Sequence, residues 1–287
     1  MEKGIAIITG ADGGMGRIIT SALAKEGYPV IMACQNPDTA QPVCDRIKEE
    51  TGNPDIEVRK INLASLASTY TFAQEILKEG RPVSRLHNNA GVLTTPVRRT
   101  EDGLETIVSV NYVAPYLLTR CLLPLMQPGA RIVNTVSCTY AIGKIERDFF
   151  EKGKNGRFLR IPVYSNTKLA LLLFTRELAE RLKARNILVN ASDPGIVSTK
   201  MITMNAWFDP LTDLFFRPFI KTAEQGAATA IHLALSEQVE GKSGYCYANC
   251  KEKKLPERIL RHPVQGLLWE QTETLLKQKG YLIPEMI

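Results

Sequence analysis

The chain has little with which to hold a metal or build a disulfide framework. Its three histidines (His87, His232 and His262) stand far apart. Its six cysteines (Cys34, Cys44, Cys121, Cys138, Cys246 and Cys250) are scattered through 287 residues with no CxxC spacing. Several of them sit in apolar strand-like runs, where cysteine acts as a small hydrophobe, so no metal site is expected. No stretch reaches 18 uninterrupted apolar residues, which predicts no transmembrane segment. The opening MEKGIAIITG lacks a signal-peptide pattern, and with the other absences it predicts a cytoplasmic protein. Also missing is a basic stripe interleaved with aromatics. The net charge of +6 comes from 36 Lys and Arg spread along the chain, which argues against nucleic acid as a partner.

What is there is an alternation. At 44% hydrophobic and 23% charged residues the composition is that of a soluble globular protein. Short apolar, β-branched runs predict strands at Gly4–Thr9, Tyr28–Cys34, Ile56–Asn62, Val83–Asn88, Ala130–Val136, Asn186–Ala191 and Gly244–Ala248. Helix-period segments fall between them, at Met15–Glu26, Asp38–Glu50, Ser65–Glu79 and Tyr164–Arg185. Strands apolar on both faces need cover on both sides, as in a parallel sheet. The pattern predicts an α/β, doubly wound Rossmann fold forming one domain over residues 1–287. Two segments interrupt it: the charged stretch Gly143–Pro162, and Met201–Ile220, rich in Met, Trp, Phe and Leu. A further amphipathic segment follows at Leu267–Lys279, in a C-terminal extension of about 252–287.

Directly after the first strand comes Thr9-Gly10-Ala11-Asp12-Gly13-Gly14-Met15-Gly16. One glycine permits the sharp turn, another lets backbone N–H groups reach a pyrophosphate, and a third lets the helix pack on the sheet. The phosphate then sits on a helix N-terminus. No Lys-Ser/Thr follows, so this is not a Walker loop. The spacing TGxxxGxG resembles that of the short-chain dehydrogenase/reductase family. Asn88-Asn89-Ala90-Gly91, Asn111, Ser137, Tyr164-Ser165-Asn166-Thr167-Lys168 and Pro194-Gly195 carry the resemblance further, in order along the chain. The 27 residues from Ser137 to Tyr164 and the tail Gly241–Lys251 look most like the retinol-dehydrogenase-like and protochlorophyllide-reductase-like branch.

The resemblance implies an oxidoreductase that moves a hydride between a nicotinamide and a carbonyl or alcohol. Gly10, Gly14, Met15, Gly16, Gln35, Asn62, Leu63, Asn89, Ala90, Gly91, Pro194, Gly195, Ile196 and Thr199 are then the expected cofactor contacts, with Tyr164 and Lys168. Asn62 stands where the family commonly has an adenine-contacting Asp. The end of the second strand, Ala33-Cys34-Gln35-Asn36, has no carboxylate to receive a ribose 2′-OH, and Asp38 reads as a helix N-cap. That leans towards NADP(H) over NAD(H), although Gln35 replaces the family's usual Arg; Arg17 is the substitute on offer.

A tyrosine of ordinary pKa near 10 is a poor acid–base catalyst at neutral pH. A lysine one helical turn away is expected to lower that pKa by about 1–3 units. Three YxxxK matches compete. Tyr140/Lys144 contains Gly143, and Tyr247/Lys251 ends the last strand; only Tyr164/Lys168 opens a strongly helical run. Ser137 is expected to hydrogen-bond the substrate oxygen, and the resemblance gives Asn111 a water linking Lys168 to solvent. Residues of about 200–221 occupy the family's substrate-lid position and suit a lipophilic small-molecule carbonyl or alcohol. The girth-wide apolar surface of the Tyr164 helix predicts burial on two sides. The second cover is either a partner's helix, in a homodimer, or the chain's own C-terminal extension. A non-catalytic dinucleotide sensor or scaffold needs no proton relay, and nucleotide-sugar epimerases show TGxxGxxG instead.

Overall fold

The computed structural model describes residues 3–93, 98–146, 148–151, 160–197 and 221–285. The apolar runs form strands β1 (Ile5–Thr9), β2 (Val30–Cys34), β3 (Ile56–Lys60), β4 (Val83–Asn88), β5 (Arg131–Thr135), β6 (Leu188–Asp193), β7 (Cys246–Ala248) and β8 (Lys251–Glu252). They join one sheet in the order β3-β2-β1-β4-β5-β6-β7-β8. All pairings are parallel except the last. Every residue of β1, β2, β5 and β6 is buried, as strands covered on both faces must be. The strand order reverses between β1 and β4, where such sheets open a crevice at their carboxyl ends.

One face carries α1 (Gly14–Lys25), α2 (Pro37–Thr51) and α6 (Ala223–Leu235) around Ile8, Leu23, Met32, Cys44 and Leu233. The other carries α3 (Leu66–Glu79), α4 (Thr106–Leu125) and α5 (Arg160–Arg181), with the larger core. By length and composition α4 could cross a bilayer, but 94% of that window is buried inside the protein, as a central core helix is.

Several details differ from the sequence reading. Asn36, not Asp38, caps α2: its side chain accepts from the Asp38 N–H at 3.0 Å, because Pro37 takes the first helical position. β6 starts two residues later than expected, because Asn186 sits in left-handed geometry (φ 51°) and closes the preceding turn. The antiparallel strand β8 was too short to leave a periodic signal.

The second cover on α5 is the chain's own. After the short α7 (Glu257–Leu260), helix α8 (Gln265–Gln278) packs against α5. Its Trp269 stacks on Phe174 (5.9 Å) and meets Tyr116 of α4 edge-on (5.1 Å). Thr272 hydrogen-bonds the Tyr112 hydroxyl at 2.8 Å, and Glu273 pairs with Arg120 in a largely buried contact. Phe149, from the charged stretch, adds an edge to Tyr112. Of the two covers the sequence left open for α5, the chain's own C-terminal extension is the one observed.

Candidate active site

The glycine-rich turn is held by strand ends on both sides of the crevice. Gly10 donates to Ala33 O of β2 (2.9 Å) and has φ +62°, in contact distance of Ala90. A Cβ on Gly16 would run into the carbonyl of Gly10, so α1 leaves the turn at close quarters only because that side chain is absent. Helix α1 begins at Gly14 with no side-chain cap from Gly13 and no acid in its first turn. Thr9 Oγ1 accepts from the N–H groups of Asn89 and Ala90 (3.0 Å each), and Asn89 donates its amide to Thr9 O (3.0 Å). Asn89 Oδ1 is left buried without a partner. An uncapped helix N-terminus and an orphaned buried acceptor together fit a dinucleotide phosphate and ribose.

Around this turn the structure gathers the other expected cofactor residues at the carboxyl ends of the strands. Gln35 is exposed just beyond β2, Gly91 follows Ala90 beyond β4, and Leu63 is buried beyond β3, its carbonyl held by Ser109 Oγ (2.9 Å). Asn62 Oδ1 is committed to the Ala64 N–H (3.1 Å). Met15 packs beneath α6, its sulfur so close to Gly226 that a Cβ there would clash. Gly195, after Pro194, has φ +77°, and Ile196 O accepts from Lys221 N (2.8 Å). Thr199 and the proposed lid residues 201–220 lie outside the described residues. Sequence reasoning missed Asp12: the turn lays its carboxylate against the Cys34 thiol, which that charge and burial together push up to about 12. A carboxylate thus does stand at the end of β2, supplied by the glycine loop.

The expected catalytic residues also converge. Asn111 lies in a π-helical turn, Ser109–Val113, that widens α4. There its amide clamps the Val92 backbone, accepting from N–H (2.8 Å) and donating to C=O (3.0 Å), and reaches Thr167 Oγ1 (3.4 Å). π-turns recur at functional sites because they turn a side chain out of helical register. Ser137 follows β5, and its side chain hydrogen-bonds Tyr164. Lys168, buried, donates to Thr135 O at 2.8 Å and lies 5.6 Å from the centre of the Tyr164 ring.

The competing YxxxK matches fall away on geometry. Tyr140 lies in a 3₁₀ turn after Ser137, and Tyr247 points into the core from β7. One electrostatic expectation is corrected. Burial pushes the Tyr164 phenol up, to about 12, against the opposing pull of the Ser137 hydrogen bond. Burial likewise pushes the Lys168 amine down, to about 8, with Asp193 holding it from falling further. In an interior this dry the desolvation of each group outweighs their spacing on the helix.

A second group was not foreseen. Asp193, at the end of β6, is buried; its Oδ1 accepts from Gly195 N (3.1 Å) and its Oδ2 pairs with Lys253 Nζ (2.8 Å). A buried acid immediately before Pro-Gly at a strand end was the signal that could have found it. Among the described residues no cluster of His, Cys, Asp and Glu could hold a metal.

The short chain dehydrogenase family model matches residues 4–207. Human retinol dehydrogenase 14 is 37% identical, covering 96% of this chain and 87% of its own length. Mouse retinol dehydrogenase 12 is 36% identical over 95% and 86%. An uncharacterised protein from Mycobacterium paratuberculosis superimposes with a TM-score of 0.78 at 26% identity, covering 99% of this chain and 96% of that one. A Burkholderia cenocepacia short chain dehydrogenase in complex with NADP shares the fold, with a TM-score of 0.67 at 23% identity over 86% and 95%.

Proposed function

Because the chain belongs to the short-chain dehydrogenase family, in its retinol-dehydrogenase-like branch, and is an NAD(P)-dependent oxidoreductase acting between carbonyl and alcohol, we propose that Tyr164 is its proton donor and that the substrate is lipophilic. One observation carries the first part: Ser137, Tyr164, Lys168 and Asn111 meet beside the glycine turn and the Pro194-Gly195 loop. A nicotinamide dinucleotide held at this site would supply or receive the hydride. Gly10, Gly14, Met15 and Gly16 would hold the pyrophosphate, Asn89, Ala90 and Gly91 the adjoining ribose, and Pro194, Gly195, Ile196 and Thr199 the carboxamide end. Asn62, its carbonyl already bonded, meets adenine as a donor. Ser137 donates to the substrate oxygen, Tyr164 delivers the proton, and Lys168 replaces the negative charge's lost solvation.

A phenol held near 12 stays protonated at neutral pH, which suits it to donate during carbonyl reduction. Lys168 carries its charge only below about 8. Reduction should therefore be level through neutrality and fall as pH rises past about 8, whereas alcohol oxidation, which needs the phenolate and the charged Lys168 beside it, should climb up to about 8 and then level off. Initial rates measured in both directions across pH check this.

Exposed apolar side chains close in sequence to the site residues support a lipophilic substrate. Ile142, Ile161 and Ile196 are 66%, 45% and 38% exposed, each within five residues of Ser137, Tyr164 or Gly195. The Met, Trp, Phe and Leu content of residues 201–220 suits the same class of substrate. We further propose NADP(H) as the preferred cofactor, drawn by Arg17 and the uncharged Gln35, with Asp12 limiting the margin by repelling a 2′-phosphate. Asp12→Asn should tighten NADPH binding roughly tenfold, the worth of one nearby charge, and leave NADH affinity little changed. Titration of cofactor fluorescence reads both, and equal effects on the two would remove Asp12 from the choice. All six cysteines are free, which supports a reducing, cytoplasmic setting. Turnover of long-chain aldehydes with NADPH, absent for hydrophilic sugars, is the test of the whole reading.

A further inference from the structure

Three loops flank the Tyr164–Lys168 pair, and one ion pair joins them. Asp193 Oδ2 takes Lys253 Nζ at 2.8 Å, and Oδ1 takes the Gly195 N–H at 3.1 Å, fixing the loop that follows β6. Lys253 in turn lies over the Tyr140 ring, 4.9 Å from its centre, in the turn that begins at Ser137. The chain takes an unfavourable route to bring Lys253 there. Between β7 and β8 the two-residue turn Asn249-Cys250 has φ of 51° and 59°, left-handed at both positions. That is the hairpin geometry usually given to Asn-Gly, and Cys250 fills the glycine place. Thr229 Oγ1 holds the Cys250 N–H (3.1 Å), Lys221 Nζ holds Asn249 Oδ1 (2.6 Å), and Cys246 O then receives the Lys253 N–H (2.7 Å).

The acid is close to the proton-transfer pair through the sheet. Ser192 stands opposite Thr135 in the β5–β6 register, and Thr135 O is where Lys168 Nζ is bound. Asp193 is the next residue along. Its side chain is 3% exposed, so its field is little screened by water, while Lys253 at 35% partly faces solvent.

We infer that Asp193 and Lys253 are positioning residues for the reaction. Their ion pair locks the Ser137 turn to the Gly195 loop and sets, by the balance of one buried negative charge and its partner, the pH at which Lys168 gives up its proton. The inference rests on the reading of Tyr164 and Lys168 as the proton-transfer pair. The groups that face Asp193 are Lys253, the Tyr140 hydroxyl, the Cys246 thiol on β7, and Lys168 and Tyr164 on α5. Only Lys253 among them is a full opposing charge in contact. Asp193 raises both Lys168 and Tyr164, and it raises Lys253 as an ion-pair partner must.

The experiment is the pH profile of kcat for decanal reduction by NADPH in Asp193→Asn, Lys253→Met, Lys253→Arg and the Asp193→Asn/Lys253→Met double variant. Loss of the acid should move the alkaline midpoint down by about one unit, the lower end of what a close charge does to a pKa. Lys253→Met leaves the acid unshielded and should move it up, Lys253→Arg should hold it, and the double variant should fall between the two single variants. A merely structural bond would lower thermal stability and leave the midpoint alone. The inference is overturned by an Asp193→Asn profile that coincides with the parent, or by a Lys253→Met midpoint that moves down. The latter variant, at a partly exposed position, serves if Asp193→Asn fails to fold. Tyr164→Phe run alongside separates the two readings. If it stays active the proton-donor reading falls, and if it is inactive while Asp193→Asn leaves the profile unmoved, only the ion-pair inference falls.

Discussion

Tyr164→Phe should lower kcat by roughly 10²–10⁴, the usual worth of a positioned acid–base group, with a far smaller effect on cofactor affinity, of which its hydroxyl supplies one contact among many. The substitution removes one oxygen and keeps the ring, so the packing of α5 persists. That helix is fixed by Leu169, Leu171, Leu172, Leu173, Phe174 and Leu178, all buried, and not by the phenol. What disappears is the proton source and its hydrogen bond with Ser137. An interaction needed only in the transition state lowers kcat and kcat/KM together. Steady-state kinetics, with cofactor titration by fluorescence as the control, measure both. Near-parental turnover would exclude Tyr164 from proton transfer and assign that step to another group beside the glycine turn.

The contrast between what the sequence disclosed and what it concealed follows sequence distance. The strands were legible because each is a contiguous run whose burial on both faces leaves no polar alternation, as in IAIIT and VIMAC. The glycine turn and Tyr164/Lys168 were legible for the same reason: their chemistry is written in neighbouring residues. Asp193 and Lys253 are 60 residues apart, and nothing local joins them; only the β6–β7–β8 register does. Asp12 escaped notice as the carboxylate beside Cys34 because it was sought at the end of β2 and arrives from the turn after β1. The direction of the Tyr164 shift depended on desolvation, a property of everything packed around the ring, which i,i+4 spacing does not contain.

The destination of the C-terminal helix was the other open question, since an amphipathic segment announces a face and not its partner. The structure lays α8 on α4 and α5, and the charged contact there makes a sharp prediction. Arg120, with its side chain 5% exposed, pairs with Glu273 at 16%. The same carboxylate receives the Tyr116 hydroxyl (2.7 Å), Arg120 donates to Pro284 O (2.9 Å), and its guanidinium lies 4.8 Å from the Trp269 ring. Glu273→Ala strands a buried cation and should cost about 3–5 kcal/mol, which for a domain this large lowers Tm by roughly 10 °C. Arg120→Met with Glu273→Leu should regain most of that, because an apolar pair suffers no desolvation. With α4 and α5 covered by α8, the parent chain should sediment as a 31.9 kDa monomer. Loosening α8 uncovers Tyr116 and Phe174, so Glu273→Ala should also self-associate on warming where the double variant does not. Calorimetry and sedimentation velocity distinguish the outcomes. A parental Tm in Glu273→Ala would mean that Trp269 and its aromatic neighbours hold the extension unaided.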